Sequence, residues 1–347
     1  MTLLLKEADH QPAPTRTLHT PPYRARRRPA SAKARRLSLA LQGGGAFGAF
    51  TWGVLDRLLE EGTIAFDAVS GASAGAMNAV LLASGLARGG PQEARASLGR
   101  FWRDVSKLGR KSLIPPANPL LTAMAQALSP YQFNPLGLNP LRDILAAEVD
   151  LDAVRRNAPV RLLIGATRVS DGALRIFRTK DISYDVVLAS ACLPHLHHAV
   201  AIDGEPHWDG GYAANPPLMP LISASRTSEV LLVQIIPSQY HQLPKTTSEI
   251  DQRLSQITFN TSLQKDLEAL ASMLELCRGS SLPDSRLGRK LQRLRLSRVA
   301  AEDHVEGLSA SSFKNIDWEF LIHLREQGRS AAEAWLLSPK ASSLLST

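Results

Sequence analysis

After residue 35, the pattern of apolar and polar positions alternates between two periods. Short apolar runs bounded by turn residues are typical of buried strands. These runs lie at 36–42, 66–70, 160–169, 173–178, 200–203 and 229–236. Between them, apolar residues three and four positions apart predict helices. The predicted helices span 46–62, 74–89, 91–107, 120–128, 139–148 and 183–193. This alternation predicts an α/β fold, a three-layer α/β/α sandwich with a mostly parallel central sheet.

The pattern changes after residue 248. Apolar positions from Ile250 to Cys277 predict one long amphipathic helix, followed by a loop at 279–288. Residues 293–299 alternate and predict either a further strand or a short basic helix. One apolar face from Trp318 to Trp335 predicts a closing helix. We therefore expect three parts in the chain. They are a leader at 1–35, an α/β domain at 36–240 and a helical extension at 241–347 that packs on that domain.

Positive charge is concentrated in the first 36 residues. They hold nine Lys and Arg against two acids, which accounts for +7 of the formal net charge of +8. Five prolines and no periodic apolar face predict that this leader is disordered. Such a leader is a solvated tail, a weak ligand of anionic lipid or nucleic acid, or a targeting segment. We carry forward peripheral contact with an anionic membrane and expect no nucleic acid.

The remaining composition, 44% hydrophobic and 21% charged, is ordinary for a globular protein. No stretch approaches the length of uninterrupted apolar sequence that a membrane span needs. Residues 1–6 are too short and too soon polar for a signal-peptide core. Cys192 and Cys277 lie far apart without metal-ligand spacing. We therefore expect a cytoplasmic protein with reduced thiols, able to attach peripherally to a membrane.

One five-residue motif has the form of a nucleophile elbow. Gly71-Ala-Ser-Ala-Gly75 matches G-x-S-x-G directly after a predicted strand and directly before a predicted helix. In that context a sharp turn exposes the serine hydroxyl at its apex. Gly71 and Gly75 permit the tight turn and the close approach of neighbouring backbone. Ser73 is therefore the predicted nucleophile. The alternative is a small-residue turn that only lets the helix pack closely on the sheet.

Three consecutive glycines follow the first predicted strand: Gly43, Gly44 and Gly45. With Gly48 they also fit the G-x-G-x-x-G fingerprint of dinucleotide-binding folds. However, Asp67 lies at the beginning of the second strand, whereas the acid of that fingerprint belongs at its carboxyl end. Neighbouring parallel strands would instead place the glycines beside Ser73, where free amides stabilise a carbonyl oxygen as it becomes negative. We predict that the three glycines form an oxyanion hole, with a dinucleotide-binding oxidoreductase as the alternative.

The predicted nucleophile needs a proton acceptor within hydrogen-bond reach. Asp209 is the most suggestive acid, because Asp209-Gly-Gly211 follows the glycine loop and the elbow in the chain. A free aspartate, with a pKa of about 3.9, is a weak base at neutral pH. Burial in an apolar pocket raises that pKa. Asp209 is therefore the predicted base, supported by Gly210 and Gly211, although the motif alone would equally indicate a simple turn.

Together, three motifs resemble the bacterial branch of the patatin-like phospholipases. They are Gly43-Gly-Gly-Ala-Phe-Gly48, Gly71-Ala-Ser-Ala-Gly75 and Asp209-Gly-Gly211. The resemblance covers residues 36 to about 236 and makes 36–240 the catalytic domain. It implies a Ser–Asp dyad without histidine, a glycine-loop oxyanion hole and hydrolysis of lipid or long-chain acyl esters without metal or other cofactor.

The glycine loop departs from this family in one respect. Many members carry Arg or Lys inside the loop, where this chain has Ala46 and Phe47. We therefore expect phosphate-bearing head groups to be favoured less, while ester hydrolysis itself is unaffected.

Histidines suggest further alternatives. Four of them lie just before Asp209: His195, His197, His198 and His207. Because no carboxylate-rich or cysteine set completes a ligand cluster around them, we expect no metal. A Ser-His-Asp triad of the α/β-hydrolase type would need a histidine after the acid. The candidates are His241, His304 and His323. A non-catalytic lipid- or nucleic-acid-binding protein acting through the leader is the remaining alternative.

Overall fold

The computed structural model describes residues 35–110, 129–239, 243–279, 286–305 and 313–338. Within them, one sheet contains eight strands. The strands are β1 (Arg35–Leu41), β2 (Ile64–Gly71), β3 (Arg161–Arg168), β4 (Leu174–Arg178), β5 (Val200–Ile202), β6 (Glu205–Asp209), β7 (Glu229–Gln234) and β8 (Arg295–Ala300).

The strand order is β5-β6-β3-β2-β1-β7-β8, and β4 pairs with β3 off this path. The pairings among β3, β2, β1, β7 and β8 are parallel. The pairings of β3 with β4, of β3 with β6 and of β5 with β6 are antiparallel. Leu41 of β1 lies opposite Gly71 of β2, so these two strands end at the same level. The segments that follow them therefore begin side by side at one edge of the sheet.

Helices cover both faces of this sheet. They are α1 (Gly48–Glu61), α2 (Ala74–Arg110), α3 (Pro130–Phe133), α4 (Pro140–Glu148), α5 (Leu151–Asn157), α6 (Tyr184–Ser190), α7 (Leu218–Ala224), α8 (Thr247–Gly279), α9 (Arg286–Gln292) and α10 (Trp318–Leu337). Gly89 and Gly90 have non-helical backbone angles and break α2 just before Pro91. None of the helices within the described ranges is both long enough and apolar enough to cross a bilayer.

Alternate side chains of β1 enter two separate hydrophobic cores. Leu37, Leu39 and Leu41 point into the core shared with α1, α2, α6 and α10. Ala40 points to the other face, where the core is built from α7, α8 and α9. Two cores divided by one sheet give three layers. This confirms the predicted α/β/α sandwich with its mostly parallel sheet.

The predicted strands are all present, and so are the helices that begin at 46, 74, 91, 139, 183, 250 and 318, with bounds shifted by a few residues. The pattern at 293–299 is a strand, β8, and the loop predicted at 279–288 is wrong at its end because α9 begins at Arg286. The sequence pattern does not indicate β6, α5 or α7. In β6, Pro206 and His207 interrupt the apolar alternation. The helix predicted at 120–128 and the leader up to residue 34 lie outside the described residues.

The predicted boundary at residue 240 has sheet strands on both sides. β8, which follows it, pairs in parallel with β7 through six residue pairs from Glu229↔Arg295 to Gln234↔Ala300. The segment after residue 240 therefore supplies a strand as well as helices, and the division into domains stays a prediction.

Candidate active site

Ser73 lies in the tight turn between β2 and α2. Its φ of 55° places a non-glycine residue in the left-handed region, which is sparsely populated and is found at functional turns. The Ser73 amide donates to the Ser190 carbonyl at 2.8 Å and to its Oγ at 3.2 Å. A Cβ on Gly71 would lie 2.5 Å from the Gly75 carbonyl carbon, and one on Gly75 would lie 2.1 Å from the Leu41 oxygen. The strand–turn–helix geometry thus requires glycine at both positions.

The three glycines after β1 lie directly against this turn. A Cβ on Gly43 would be 2.6 Å from Ser73 Cβ, so the two backbones pass closer than any side chain would allow. Gly44 and Gly45 enter a 3-10 turn at Gly45–Phe47, and Gly45 has a φ of +52°. The first amides of a helical turn have no acceptor within it. Among the described residues, no acceptor meets the amides of Gly44 or Gly45.

The Gly43 amide, in contrast, is already engaged. It donates to Asn215 Oδ1 at 2.6 Å. Asn215 Nδ2 donates back to the Gly43 carbonyl at 3.1 Å and to the Phe259 carbonyl at 3.3 Å. Asn215 is fully buried. Its side chain therefore fixes the orientation of the glycine loop, and Gly43 differs from the other two glycines in having no free amide.

Sequence reasoning did not assign a role to Asn215. A usable signal is its place four residues after Gly211 and directly before two prolines, where a lone amide stands among small and apolar residues. An amide side chain buried there must satisfy its own donors and acceptor, and here it does so on the backbone of Gly43 and Phe259.

A second amide pair attaches α8 to the same loop. Gln42 Oε1 accepts from the amides of Ile235 and Ile236, both at 2.8 Å, and Gln42 Nε2 donates to Asn260 Oδ1 at 2.8 Å. Asn260 Nδ2 donates in turn to the Pro237 carbonyl at 2.8 Å. Buried and fully bonded, this network holds the end of β7, the start of the glycine loop and α8 in one arrangement.

Asp209 ends β6 and is completely buried. Its backbone is held on both sides: the amide donates to the Cys192 carbonyl at 2.8 Å, and the carbonyl accepts from Thr167 Oγ1 at 2.7 Å. Oδ1 accepts from the Gly211 amide at 2.8 Å. Oδ2 is buried and has no hydrogen-bond partner of good geometry among the described residues. The carboxyl group therefore keeps one oxygen available.

Burial raises the pKa of Asp209 to about 7, well above its usual range. The Gly211 amide and the Ser73 hydroxyl are close enough to lower the pKa, but they offset only part of the effect. No cationic side chain in the described part of the chain contributes to this balance. A carboxyl group of this kind changes its protonation near neutral pH, which is what a general base requires.

Two other titratable groups near Asp209 stay neutral. Burial and the nearby Asp209 charge raise the pKa of the Cys192 thiol to about 12. Burial, Asp209 and Cys192 raise the pKa of the Tyr212 hydroxyl to about 12. Neither group is therefore an alternative base at neutral pH. Cys192 Sγ instead donates to the His198 carbonyl at 3.0 Å.

None of the described histidines has a hydrogen bond that would complete a Ser-His-Asp triad. His207 is buried with Nδ1 2.8 Å from the Glu205 carbonyl oxygen, and His198 Nε2 lies 3.1 Å from the Pro130 oxygen. His304 lies beside the Phe50 ring, His323 is exposed on α10, and His241 lies outside the described residues. No described histidine hydrogen-bonds to Ser73 or Asp209. In the same ranges, no three His, Cys, Asp or Glu side chains gather as a metal site.

Asp67 occupies a place that does not suit a dinucleotide. The second strand begins at Ile64, two residues earlier than predicted, so Asp67 lies in the middle of β2 near the level of Ser38 and four residues before the strand ends at Gly71. Its carboxylate accepts from Arg161 at 2.7 Å and from the Arg226 amide at 2.6 Å. This acid is held in an ion pair within the sheet and does not lie at the carboxyl end of β2, where the acid of a dinucleotide fingerprint belongs.

Comparison with known proteins gives one family. The sequence model of the family described as Patatin-like phospholipase matches residues 39–222, just over half of the chain. A search of curated proteins finds no match.

Two solved structures illustrate the structural matches. VipD from Legionella pneumophila is 17% identical, with 88% of this chain and 67% of that chain covered and a TM-score of 0.45. ExoU in the heterodimeric ExoU–SpcU complex of the type III secretion system of Pseudomonas aeruginosa is 16% identical. In that match 88% of this chain and 75% of that chain are covered, with a TM-score of 0.31.

Proposed function

Because this chain belongs to the patatin-like phospholipase family, whose members are lipid acyl hydrolases, we propose that it cleaves carboxylic esters of lipids with a Ser73–Asp209 dyad. The single observation that carries the proposal is the environment of Asp209. It is a fully buried carboxyl group with no cationic partner in the described chain, one unpartnered oxygen and the Ser73 hydroxyl beside it. Burying a carboxyl group without a cationic partner costs free energy. Such groups are found mainly at functional sites, where the shifted pKa is used.

Asp209 suits the role of general base in this reaction. Asp209 Oδ1 is occupied by the Gly211 amide, so Oδ2 is the atom that would receive the Ser73 proton. With a pKa of about 7, Asp209 is largely ionised just above neutrality and still basic enough to take a proton from a hydroxyl during attack.

For the oxyanion hole we favour the amides of Gly44 and Gly45. Both amides lack an acceptor in the described chain and lie at the amino end of the turn that leads into α1. Free amides at that position, with the positive end of a helix behind them, stabilise negative charge on a carbonyl oxygen. Gly43 was predicted as a third donor. Since Asn215 occupies its amide, we assign Gly43 a positioning role in the loop.

The reaction then proceeds by acyl transfer. Ser73 Oγ attacks the ester carbonyl carbon while its proton moves to Asp209 Oδ2, and the carbonyl oxygen becomes an oxyanion held by the two amides. The ester C–O bond breaks, the alcohol leaves with the proton from Asp209, and an acyl-enzyme remains on Ser73. A water molecule then gives its proton to Asp209 and attacks the acyl carbon. The fatty acid is released and the Asp209 proton returns to Ser73 Oγ.

The glycine loop bears on which lipids suit the site. Phe47, at the position where we noted a missing cation, is buried and packs edge-to-face on Phe313 with ring centroids 6.2 Å apart. At this position the loop therefore carries a buried aromatic side chain instead of a positive charge. We propose that the acyl ester, more than a phosphate head group, determines substrate choice.

The test is release of fatty acids from a mixed lipid extract, identified by mass spectrometry. The wild-type protein should release free fatty acids, and Ser73→Ala should reduce release at least about a thousandfold, because the attacking atom is gone. Ser70→Ala is the matched control: it removes a buried hydroxyl from β2 that has no partner among the described residues. It should leave turnover unchanged. Equal turnover by Ser73→Ala and wild type would refute the proposal.

A further inference from the structure

One surface of the protein exposes five large apolar side chains. Its side chains are Tyr131, Phe133, Leu136, Leu138 and Leu196. Leu136 is 81% exposed and Leu138 66% exposed. Soluble proteins seldom expose clustered large apolar side chains unless the surface binds something. We call these five residues the apolar rim.

The two segments that carry the apolar rim contact each other. The Ala199 amide donates to the Tyr131 hydroxyl at 3.1 Å. The Tyr131 and His198 rings stack with centroids 4.1 Å apart. His198 Nε2 lies 3.1 Å from the Pro130 carbonyl oxygen. The rim is therefore one continuous surface built by residues 129–138 and 195–199.

A hydrogen-bonded loop presents the two most exposed leucines. Asn134 Nδ2 donates to the Leu138 carbonyl at 2.8 Å, and Asn134 Oδ1 accepts from the Leu138 amide at 3.0 Å. The Gly137 amide donates to the Asn134 carbonyl at 2.9 Å, with Gly137 in the left-handed region at φ +63°. This cross-linked turn holds Leu136 and Leu138 outward, so their exposure is a built feature of the loop.

The rim is close to the predicted dyad along the chain. Ser190 accepts the Ser73 amide, and the Cys192 carbonyl accepts the Asp209 amide at 2.8 Å. Leu196 follows Cys192 by four residues, which is at most about 14 Å of extended chain. One segment therefore joins the nucleophile, the base and the exposed apolar surface.

The charge of these segments indicates what covers the rim. Residues 129–142 and 191–202 contain no Asp or Glu, and Arg142, at the edge of the first segment, is paired with Asp185 of α6. The two segments therefore add no unpaired negative charge that would repel lipid phosphates, and their apolar side chains gain free energy by entering the acyl boundary. We propose that the apolar rim docks the enzyme on the surface of a phospholipid bilayer, which delivers the acyl ester to the neighbouring dyad. This inference rests on the proposed function.

The experiment measures binding to vesicles of pure phosphatidylcholine by co-sedimentation, using the full chain. Neutral vesicles remove electrostatic attraction of the basic leader, so binding reports apolar insertion. The double variant Leu136→Ser/Leu138→Ser should bind at least about tenfold more weakly, since burying one leucine corresponds to a factor of roughly that size. Its hydrolysis of monomeric p-nitrophenyl butyrate should equal that of wild type.

Two further variants separate this inference from the proposed function. Leu337→Ser removes a 71% exposed leucine at the end of α10 and should bind vesicles as wild type does. Ser73→Ala should also bind normally, because docking does not need the nucleophile. If the double variant binds vesicles as tightly as wild type, the docking inference is wrong even if ester turnover stands. It is also wrong if gel filtration shows that the substitutions dissociate a dimer, since the rim would then bind a second copy.

Discussion

Two buried aspartates lie in regions of opposite electrostatic character. Asp56, on α1, is 3% exposed and faces a cluster of arginines from α2 and α10. It accepts from Arg95 at 2.7 Å and from Arg325 at 2.9 Å, and also pairs with Arg329. Asp209 is 0% exposed, and its carboxyl group has the Gly211 amide as a hydrogen-bond donor and the Ser73 hydroxyl nearby.

The two surroundings shift the pKa of the aspartate in opposite directions. Burial by itself raises the pKa of Asp56, but the hydrogen bond from Arg95 and the charges of the arginines outweigh it and hold the pKa below its usual range. At Asp209 burial prevails and the pKa is about 7. Burial thus raises the free energy of the charged carboxylate in both places. Where arginines are adjacent, as at Asp56, the carboxyl group stays ionised, and where no cation is adjacent, as at Asp209, it takes up a proton near neutral pH. A permanent anion stabilises the helices, whereas a base can take part in proton transfer.

The largest expected effect is on turnover at the base. Asp209→Asn keeps the size of the side chain but cannot accept a proton from Ser73. We expect kcat/KM for p-nitrophenyl butyrate to fall about 10²- to 10⁴-fold, the usual contribution of a general base. The fold, followed by circular dichroism, should persist. If turnover is retained, Asp209 is not the base and the contrast with Asp56 has no functional meaning.

The next largest expected effect is a loss of stability when Asp56 is replaced. Asp56→Asn leaves three partly solvated arginines without their shared anion, so the free energy of unfolding should fall by about 2–3 kcal/mol. Turnover per folded molecule should stay within about twofold of wild type, since Asp56 touches no active-site residue. Urea denaturation and active-site titration measure the two quantities. An unchanged denaturation midpoint would show that the arginines do not depend on Asp56.

Positioning of the glycine loop should have a smaller effect on rate. Asn215→Ala removes the bonds to the Gly43 amide and carbonyl, so the loop amides lose their fixed direction. We expect kcat to fall about 10- to 100-fold with little change in KM, because the lost interaction acts in the transition state. Ser262→Ala is the control, since among the described residues Ser262 Oγ accepts one hydrogen bond, from the Asn215 backbone amide at 3.1 Å, and none from the glycine loop. A rise in KM at unchanged kcat would exclude this role for Asn215.

The pH dependence of stability gives a further test, because its sign differs between the two aspartates. The pKa of Asp209 is higher in the folded protein than the ordinary 3.8, so between pH 3.8 and about 7 the native state binds more protons than the unfolded chain. Stability therefore falls as pH rises through this window, by at most about 1.4 kcal/mol per pH unit. Asp209→Asn should lack this slope in urea denaturation.

For Asp56 the folded pKa is lower than the ordinary value. Its stabilising contribution is complete above pH 3.8 and is lost as pH falls below it. The difference between wild type and Asp56→Asn should therefore shrink only in acid. For each variant, the difference from wild type in the free energy of unfolding is plotted against pH. If the two plots have the same slope, the proposed difference between the two regions does not exist.

Much of this arrangement could be predicted from local sequence. The elbow and the glycine loop are each contained in a few residues and follow apolar strands, so periodicity alone places them at the ends of β1 and β2. Asp209 was predicted as the base through its two glycines and its order after the other motifs, although β6 was not recognised. The acid was therefore predicted without the strand that orients it.

Other parts of the site depend on contacts that no local pattern encodes. Asn215 reaches Gly43 across 172 positions, and Asn260 reaches Gln42 across 218. Phe259 covers Gly211 from a helix whose sequence indicates only amphipathicity; a Cβ on Gly211 would lie 2.4 Å from the Phe259 ring. The occupied amide of Gly43 follows from one of these contacts. Which of three adjacent glycines keeps a free amide was therefore not predictable from the loop itself.

Labelling by a fluorophosphonate tests the central claim most directly, with the modified peptide identified by mass spectrometry and the rate followed against pH. The account predicts a single adduct on Ser73 in the wild-type protein. Its rate should rise as Asp209 loses its proton, with an apparent pKa of about 7, and level off above it. Asp209→Asn should react slowly and show no such rise. An adduct on another residue, or the same pH profile in Asp209→Asn, would contradict a Ser73–Asp209 dyad.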